Sequence, residues 1–343
     1  MNRRLSRLLL VVTWLALAAG PVAACGGEEE EKEQTAAEIL QQTFRGSESA
    51  IEDGFLSLSF RLDPEGLLAV GGPVKFTLHG PFSAPRAREL TRFNVDFVAT
   101  LAEKPYKGSV LSTGKQALVT LDDGTYRVGG AVVDRLRRSA RRRQQDRAGL
   151  PVTGFDPLRW ISGPQKKRSE RVTGVDTIRI GGKLNVARLL GDIDGLLTKA
   201  GGSASESTLL SAKLRRQIAA VTQSSSIDIW TGRSDKLLRQ LAVKFVFLFE
   251  GDSSPLQALR GGTVNLRLRL DDVNKKAARP SAFARGRKDA RPLADLTGGG
   301  PANILEGVGA GLTGGRGREL FACLTAANGS SSELVRCVSK LAP

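Results

Sequence analysis

The sequence has little of what catalysis uses. Its 343 residues include one histidine, three cysteines, one methionine and two tyrosines, and aromatic residues make up 5% of the chain. A single histidine excludes multi-histidine metal sites and leaves little for histidine-based nucleophile activation. That residue, His79, sits in VKFTLHG opposite the apolar positions Val74, Phe76 and Leu78, which places it on the wet side of a strand. No HExxH, CxxC or GxSxG occurs. GAGLTG, Gly309 to Gly314, matches GxGxxG but follows no strand pattern and lies in a glycine-rich stretch, so it does not read as a dinucleotide loop. Gly114-Lys115 lacks the earlier glycine and the Ser/Thr of a phosphate loop. Asp122-Asp123 and Asp271-Asp272 have the positions of turn and strand-end residues. No enzyme, cofactor or metal is expected.

Long hydrophobic runs are also scarce. Leu8 to Ala19 is uncharged for twelve residues and follows Arg3, Arg4 and Arg7. A membrane-spanning helix needs roughly 20 apolar residues, so twelve suit the core of an export signal. The small residues Val22-Ala23-Ala24 then precede Cys25. This order resembles a bacterial lipoprotein signal, in which cleavage falls before a cysteine that carries diacylglycerol. The expectation is a signal peptide over 1–24, lipidation at Cys25, and an acidic tether over 25–35 that contains Glu28–Glu31. The mature chain would keep 319 residues and a formal charge of +13 in place of +16. It would be anchored by acyl chains at the extracytoplasmic face of the cell membrane, since two chains hold where one binds only reversibly.

Two cysteines then remain, Cys323 and Cys337 in FACLTAANGSSSELVRC. Outside the cytoplasm disulfides persist, and the spacing suits a helical hairpin closed by a bridge over 318–343. Such a loop is worth about 3 kcal/mol in the chain-entropy description. Two free buried thiols are the alternative.

Acid is in short supply relative to base, 35 residues against 51. The bases cluster in VVDRLRRSARRRQQDR, which reads as a basic helix over 132–147 with Arg138, Arg141, Arg142 and Arg143, then in Lys166-Lys167-Arg168, then from Lys275 to Arg291. Few aromatics and an export signal argue against nucleic acid. An anionic membrane surface or wall polymer suits the basic helix; a merely solvated face is the alternative.

Period-two alternation dominates the rest. FLSLSFRL puts Leu56, Leu58, Phe60 and Leu62 on one side; RFNVDFVATL does so with Phe93, Val95 and Phe97. SVLST, QALVTL and TYRV follow, so the first half reads as an antiparallel meander. LAVKFVFLFE carries Val243, Phe245, Phe247 and Phe249 on one face and Ala242, Val246 and Leu248 on the other, so it is expected to be covered on both faces or to meet an apolar ligand. TVNLRLRLDDV adds Leu266 and Leu268. Helical spacing marks Thr35–Phe44, a short helix in Gly154–Ile161 with Asp156 as N-cap, Val186 onward with Asn185 as cap, and LLSAKLRRQIAAV. Residues 298–317, with nine glycines in twenty, cannot pack a core well.

ERVTGVDTIRIGGKLNV resembles the signature strand of the LppX/LprA/LprF/LprG lipoproteins of actinobacteria, through Val172, Gly174, Val175, Thr177, Gly182, Leu184 and Val186. STGKQALVTLDDGTYRV, GFDPLRWI and TVNLRLRLDDVNK resemble that family's hairpin, helix and closing strand in the same order. The resemblance spans roughly 36–280 and leaves the basic, glycine-rich segment 281–317, expected to be loose and flexible, and the C-terminal hairpin without a counterpart. It implies an α+β fold like LolA and LolB: a curved antiparallel half-barrel with helices on its concave face around an apolar cavity. Its implied ligand is a membrane lipid or glycolipid. The cavity lining is then expected from Leu58, Phe60, Phe76, Leu78, Phe93, Val95, Phe97, Val243, Phe245, Phe247, Phe249, Leu266 and Leu268, with Arg138 and Arg141–Arg143 near headgroups. The expected state is a monomer with no nucleic-acid partner. The competing reading is a non-enzymatic envelope protein whose basic helix binds anionic polymer or a protein.

Overall fold

A strand can bury one face only if its apolar residues fall two apart and its neighbours keep the same register. The computed structural model meets both conditions over a sheet of twelve strands. It describes residues 34–45, 51–66, 72–83, 91–101, 104–121, 124–130, 133–134, 156–201, 212–249, 260–275 and 290–292, and the fold below is that of the unit beginning at Ala36. The strands are β1 (Asp53–Glu65), β2 (Val74–Ser83), β3 (Arg92–Leu101), β4 (Lys104–Ser112), β5 (Ala117–Leu121), β6 (Gly124–Arg127), β7 (Ile161–Val172), β8 (Val175–Leu184), β9 (Thr222–Gly232), β10 (Leu238–Leu248), β11 (Gly261–Asp271) and β12 (Arg291–Pro292). Their order is β12-β6-β5-β4-β3-β2-β1-β11-β10-β9-β8-β7. Two meanders, β1 to β6 and β7 to β11, are joined side by side by the β1–β11 ladder. The two ends do not pair, so the sheet is open. Every pairing is antiparallel except β12 with β6.

The register draws the apolar positions into continuous rows. Ile180, Ile229, Leu241, Leu268, Leu58, Leu78 and Phe97 oppose one another in turn across seven strands. A second row runs Ile227, Val243, Leu266, Phe60, Phe76 and Ala99. The opposite face carries Trp230, Gln240, Arg269, Ser57, His79 and Asp96 in one row, which puts His79 on the polar side, as expected, where it is exposed.

Helices cover the β8–β11 part of the apolar face. In α1 (Ala36–Arg45), Ala36, Ile39, Leu40 and Phe44 form one buried stripe. The first helix after β8, α2 (Val186–Gly201), begins at Asn185, whose Oδ1 accepts from the Arg188 amide at 3.1 Å, so the expected cap is present. Its Val186, Leu189 and Leu190 join Ile218 of α3 (Ala212–Ala220), the α1 stripe and Ile180, Ile227, Ile229 and Leu241 of the sheet in one core. Arg215 of α3 donates to Asp194 of α2 at 2.5 Å. Over β3 to β6 a second cluster gathers Phe97, Val119, Leu121, Tyr126, Val128 and Val133.

Three expectations need correcting or completing. GFDPLRWI forms a single 3-10 turn, Pro157–Arg159, and Asp156 makes no side-chain cap bond. Ile161 already opens β7, because Gly163-Pro164 two residues on cannot continue a helix. Trp160 is nonetheless fixed, 1% exposed with Nε1 donating to Asp192 Oδ2 of α2 at 2.9 Å. Next, β10 is not covered on both faces: Leu241, Val243, Phe245 and Phe247 are buried, whereas Ala242, Val246 and Leu248 are half-buried and Lys244 is exposed. The lysine explains this, since an ammonium with no ion pair among the described residues keeps that face wet. Last, within the stretch expected to be loose, Arg291–Pro292 forms β12 on β6, and the Arg291 guanidinium lies 4.6 Å from the Tyr126 ring centre.

Residues of the family-like signature have structural roles here. Thr173 and Gly174, at φ 53° and 78°, make the two-residue β7–β8 turn, the left-handed pair such hairpins favour. Thr177, 1% exposed, donates to the Glu170 carbonyl at 2.6 Å. At Gly182 a Cβ would come within 2.6 Å of Ile161 Cγ1. Thr173→Asn should stabilise the fold by about 0.5 kcal/mol, because asparagine tolerates the left-handed region that a β-branched residue resists. A lowered thermal midpoint would contradict this.

Candidate functional site

All thirteen positions expected to line a cavity lie in described residues, and register places those within strands on one face of the sheet. Burial divides them. Val243, Phe245, Phe247, Phe249 and Leu268 belong to the packed core under the helices, each no more than 6% exposed. Val95 and Phe97 are also buried, Phe97 in the second cluster. Leu58, Phe60, Phe76, Leu78, Phe93 and Leu266 are half-buried.

Five of these half-buried residues, all but Phe93, are contiguous. Leu266, Phe60 and Phe76 are paired in register across β11, β1 and β2, and Leu58 and Leu78 pair beside them. Leu62 and Val74, also half-buried, extend the band by one more pair; both stand in the alternation read from the sequence but outside the expected lining. Leu58, Phe60, Leu62 and Leu266 pack against the first hydrophobic cluster, Phe76 against the second and Leu78 against both, so the band, called the trough below, lies where the two clusters meet. Phe76 and Phe97 stack at one side with ring centres 6.2 Å apart. Polar side chains in that face would have to be desolvated by an apolar guest, and each of these seven positions is apolar.

Charge sits on the other face. Arg61 pairs with Asp63 at 2.6 Å, a bond that holds the Asp63 carboxyl below its usual range. Its small contribution is present above the ordinary carboxylate pKa and is lost as pH falls through the lowered one. The expected headgroup residues Arg138, Arg141, Arg142 and Arg143 lie outside the described residues, as do Cys25, Cys323 and Cys337. Among the described residues no cluster of metal-ligating side chains occurs, and no helix is long and apolar enough to cross a membrane.

No protein-family model and no curated protein matches the chain. Among solved structures the chain is similar to LprF from Mycobacterium bovis, at 12% identity and a TM-score of 0.38 over 71% of this chain and 95% of that one. It is also similar to the Mycobacterium tuberculosis lipoprotein LppX, at 11% identity and a TM-score of 0.31 over 70% of this chain and 92% of that one.

Proposed function

We propose that the protein is a membrane-anchored lipoprotein that takes the acyl chains of a lipid or glycolipid into the trough over β11, β1 and β2, and carries or presents them in the cell envelope. The observation that carries this reading is the in-register band of half-buried apolar side chains where two packed clusters meet. A guest laid along it completes the burial that the protein's own helices give to the flanking strands. Each CH₂ removed from water contributes about 0.8 kcal/mol, so a long acyl chain supplies enough to leave a bilayer transiently. The apolar run Leu8–Ala19 and Cys25, read as an export signal and a lipid anchor, support this reading, since they would put the domain beside its source of ligand.

Cys25→Ser, expressed with its signal and purified from membrane extracts, is expected to carry acyl lipid visible by native mass spectrometry and to take up a fluorescent fatty-acid probe. Protein that holds no lipid and takes up no probe would sink the reading.

A further inference from the structure

The polar face of the sheet carries a groove of about 500 Å³ at its β7–β11 end. It exists because Ala242 stands where the same face of β10 otherwise carries Gln240 and Lys244. The short side chain leaves a gap between Asp228 on β9 and Arg267 on β11, its partners in register. Gln240 and Ala242 form the floor, and Arg267 and Arg269 form one wall.

The other wall is held rigidly. Trp230 donates through Nε1 to Glu170, and the Arg179 guanidinium lies 5.0 Å from the Trp230 ring centre. Arg179 also reaches Asp228 at 3.0 Å and Glu170 at 3.6 Å. The Asp228 bond holds the Arg179 pKa above its ordinary value. Both groove carboxylates are thus committed to one arginine. Arg171 is engaged by Asp176 at 3.1 Å and Arg269 by Asp271 at 3.0 Å. Arg267 is different: it is exposed and has no ion pair among the described residues. Four arginines face two carboxylates in the lining, and the surplus is concentrated at Arg267, beside the Gln240 amide, which has no side-chain hydrogen-bond partner among the described residues.

We propose that this groove is a binding site for a phosphate-bearing ligand, contacted by Arg267 and Gln240 and flanked by Arg269. The guanidinium presents a planar fork of donors that matches two phosphate oxygens, and the adjacent amide adds a neutral donor. The site lies on the opposite face from the trough, so it does not depend on acyl binding. The phosphate can belong to a lipid headgroup at the membrane surface or to a soluble phosphate compound.

Two arms distinguish these sources. Mature protein with Cys25→Ser is titrated with glycerol phosphate and followed by calorimetry, and in parallel is spun with phosphatidylglycerol–phosphatidylcholine vesicles or with phosphatidylcholine vesicles alone. Binding in the first arm identifies a soluble phosphate ligand; binding only to the anionic vesicles identifies a headgroup. In whichever arm binds, Arg267→Gln is expected to weaken binding about tenfold, the value of one charged hydrogen-bonded contact. Lys75→Gln removes the same charge from the same face outside the groove and should change affinity less than about twofold. Arg267→Gln should leave the thermal midpoint and fatty-acid uptake unchanged. No binding in either arm, or equal losses in the two variants, would overturn the site.

Discussion

Phe247→Asp will yield no folded domain, whereas Phe60→Asp will yield a folded domain that has lost fatty-acid uptake. The two phenylalanines lie on the same face of one sheet and read alike in sequence. Phe247 is 3% exposed and packs between Phe245 and Phe249, with ring centres 6.1 and 5.9 Å away. Removing that ring costs about 3–5 kcal/mol before the carboxylate is desolvated, and a whole domain has only about 5–15 kcal/mol. Phe60 is half-buried in the trough, where a carboxylate keeps access to water. It costs little in folding, but it forfeits the roughly 1.5–3 kcal/mol of a buried ring on the guest side, a tenfold or larger loss of uptake. Circular dichroism and probe uptake on both variants test the pair. Uptake by folded Phe60→Asp at the level of the unaltered protein would remove the trough as the site.

Asp235→Asn will cost about 3 kcal/mol of stability, a large effect for a change of one atom. Arg239 is 5% exposed and occupies a bulge in β10, where the register shifts between Leu238 and Gln240. Its guanidinium is paired with Asp235, four residues earlier, and its Nη1 has no partner. Neutralising Asp235 therefore leaves a buried cation without a counter-charge. The turn is shaped for this contact: at Gly232 a Cβ would lie 2.1 Å from Asp235 Oδ1. The midpoint of urea unfolding reads the loss, and Arg239→Met added to Asp235→Asn should restore part of it. A midpoint unchanged by Asp235→Asn would show that the pair carries no net weight.

The sheet was legible because alternation is strict. In β1, β2, β3 and β11 every second residue is apolar, and the burial pattern follows it. Legibility ended where one rule served two states. Val243 and Leu266 have the same spacing and chemistry and are opposed in register, yet helices cover the first and leave the second half-exposed. Which strands the helices overlie depends on packing between distant segments, and periodicity within a strand does not encode it. Trp160 shows another limit. Its neighbourhood has the capping signals of a helix, but Gly163-Pro164 and the bond to Asp192 favour a turn into β7. The outer groove was missed because it is defined by Ala242, a small residue amid long ones on three separate strands. The signal was present in LRLRL, where Arg267 and Arg269 alternate with the leucines, but only the leucines were taken from it.

The β1–β11 ladder has one more consequence. Every other antiparallel pairing joins strands that follow one another in the chain, whereas Phe55 finds Asp271 across most of the domain. Local hairpins close quickly; a pairing of such long sequence separation must wait for its chain to be gathered in. That late ladder closes along the line over which the trough runs, and the first hydrophobic cluster draws on both halves, with Leu56 and Phe82 in one core with Ile180 and Ile229. On the proposed reading, the surface that would receive a guest is the suture of the fold.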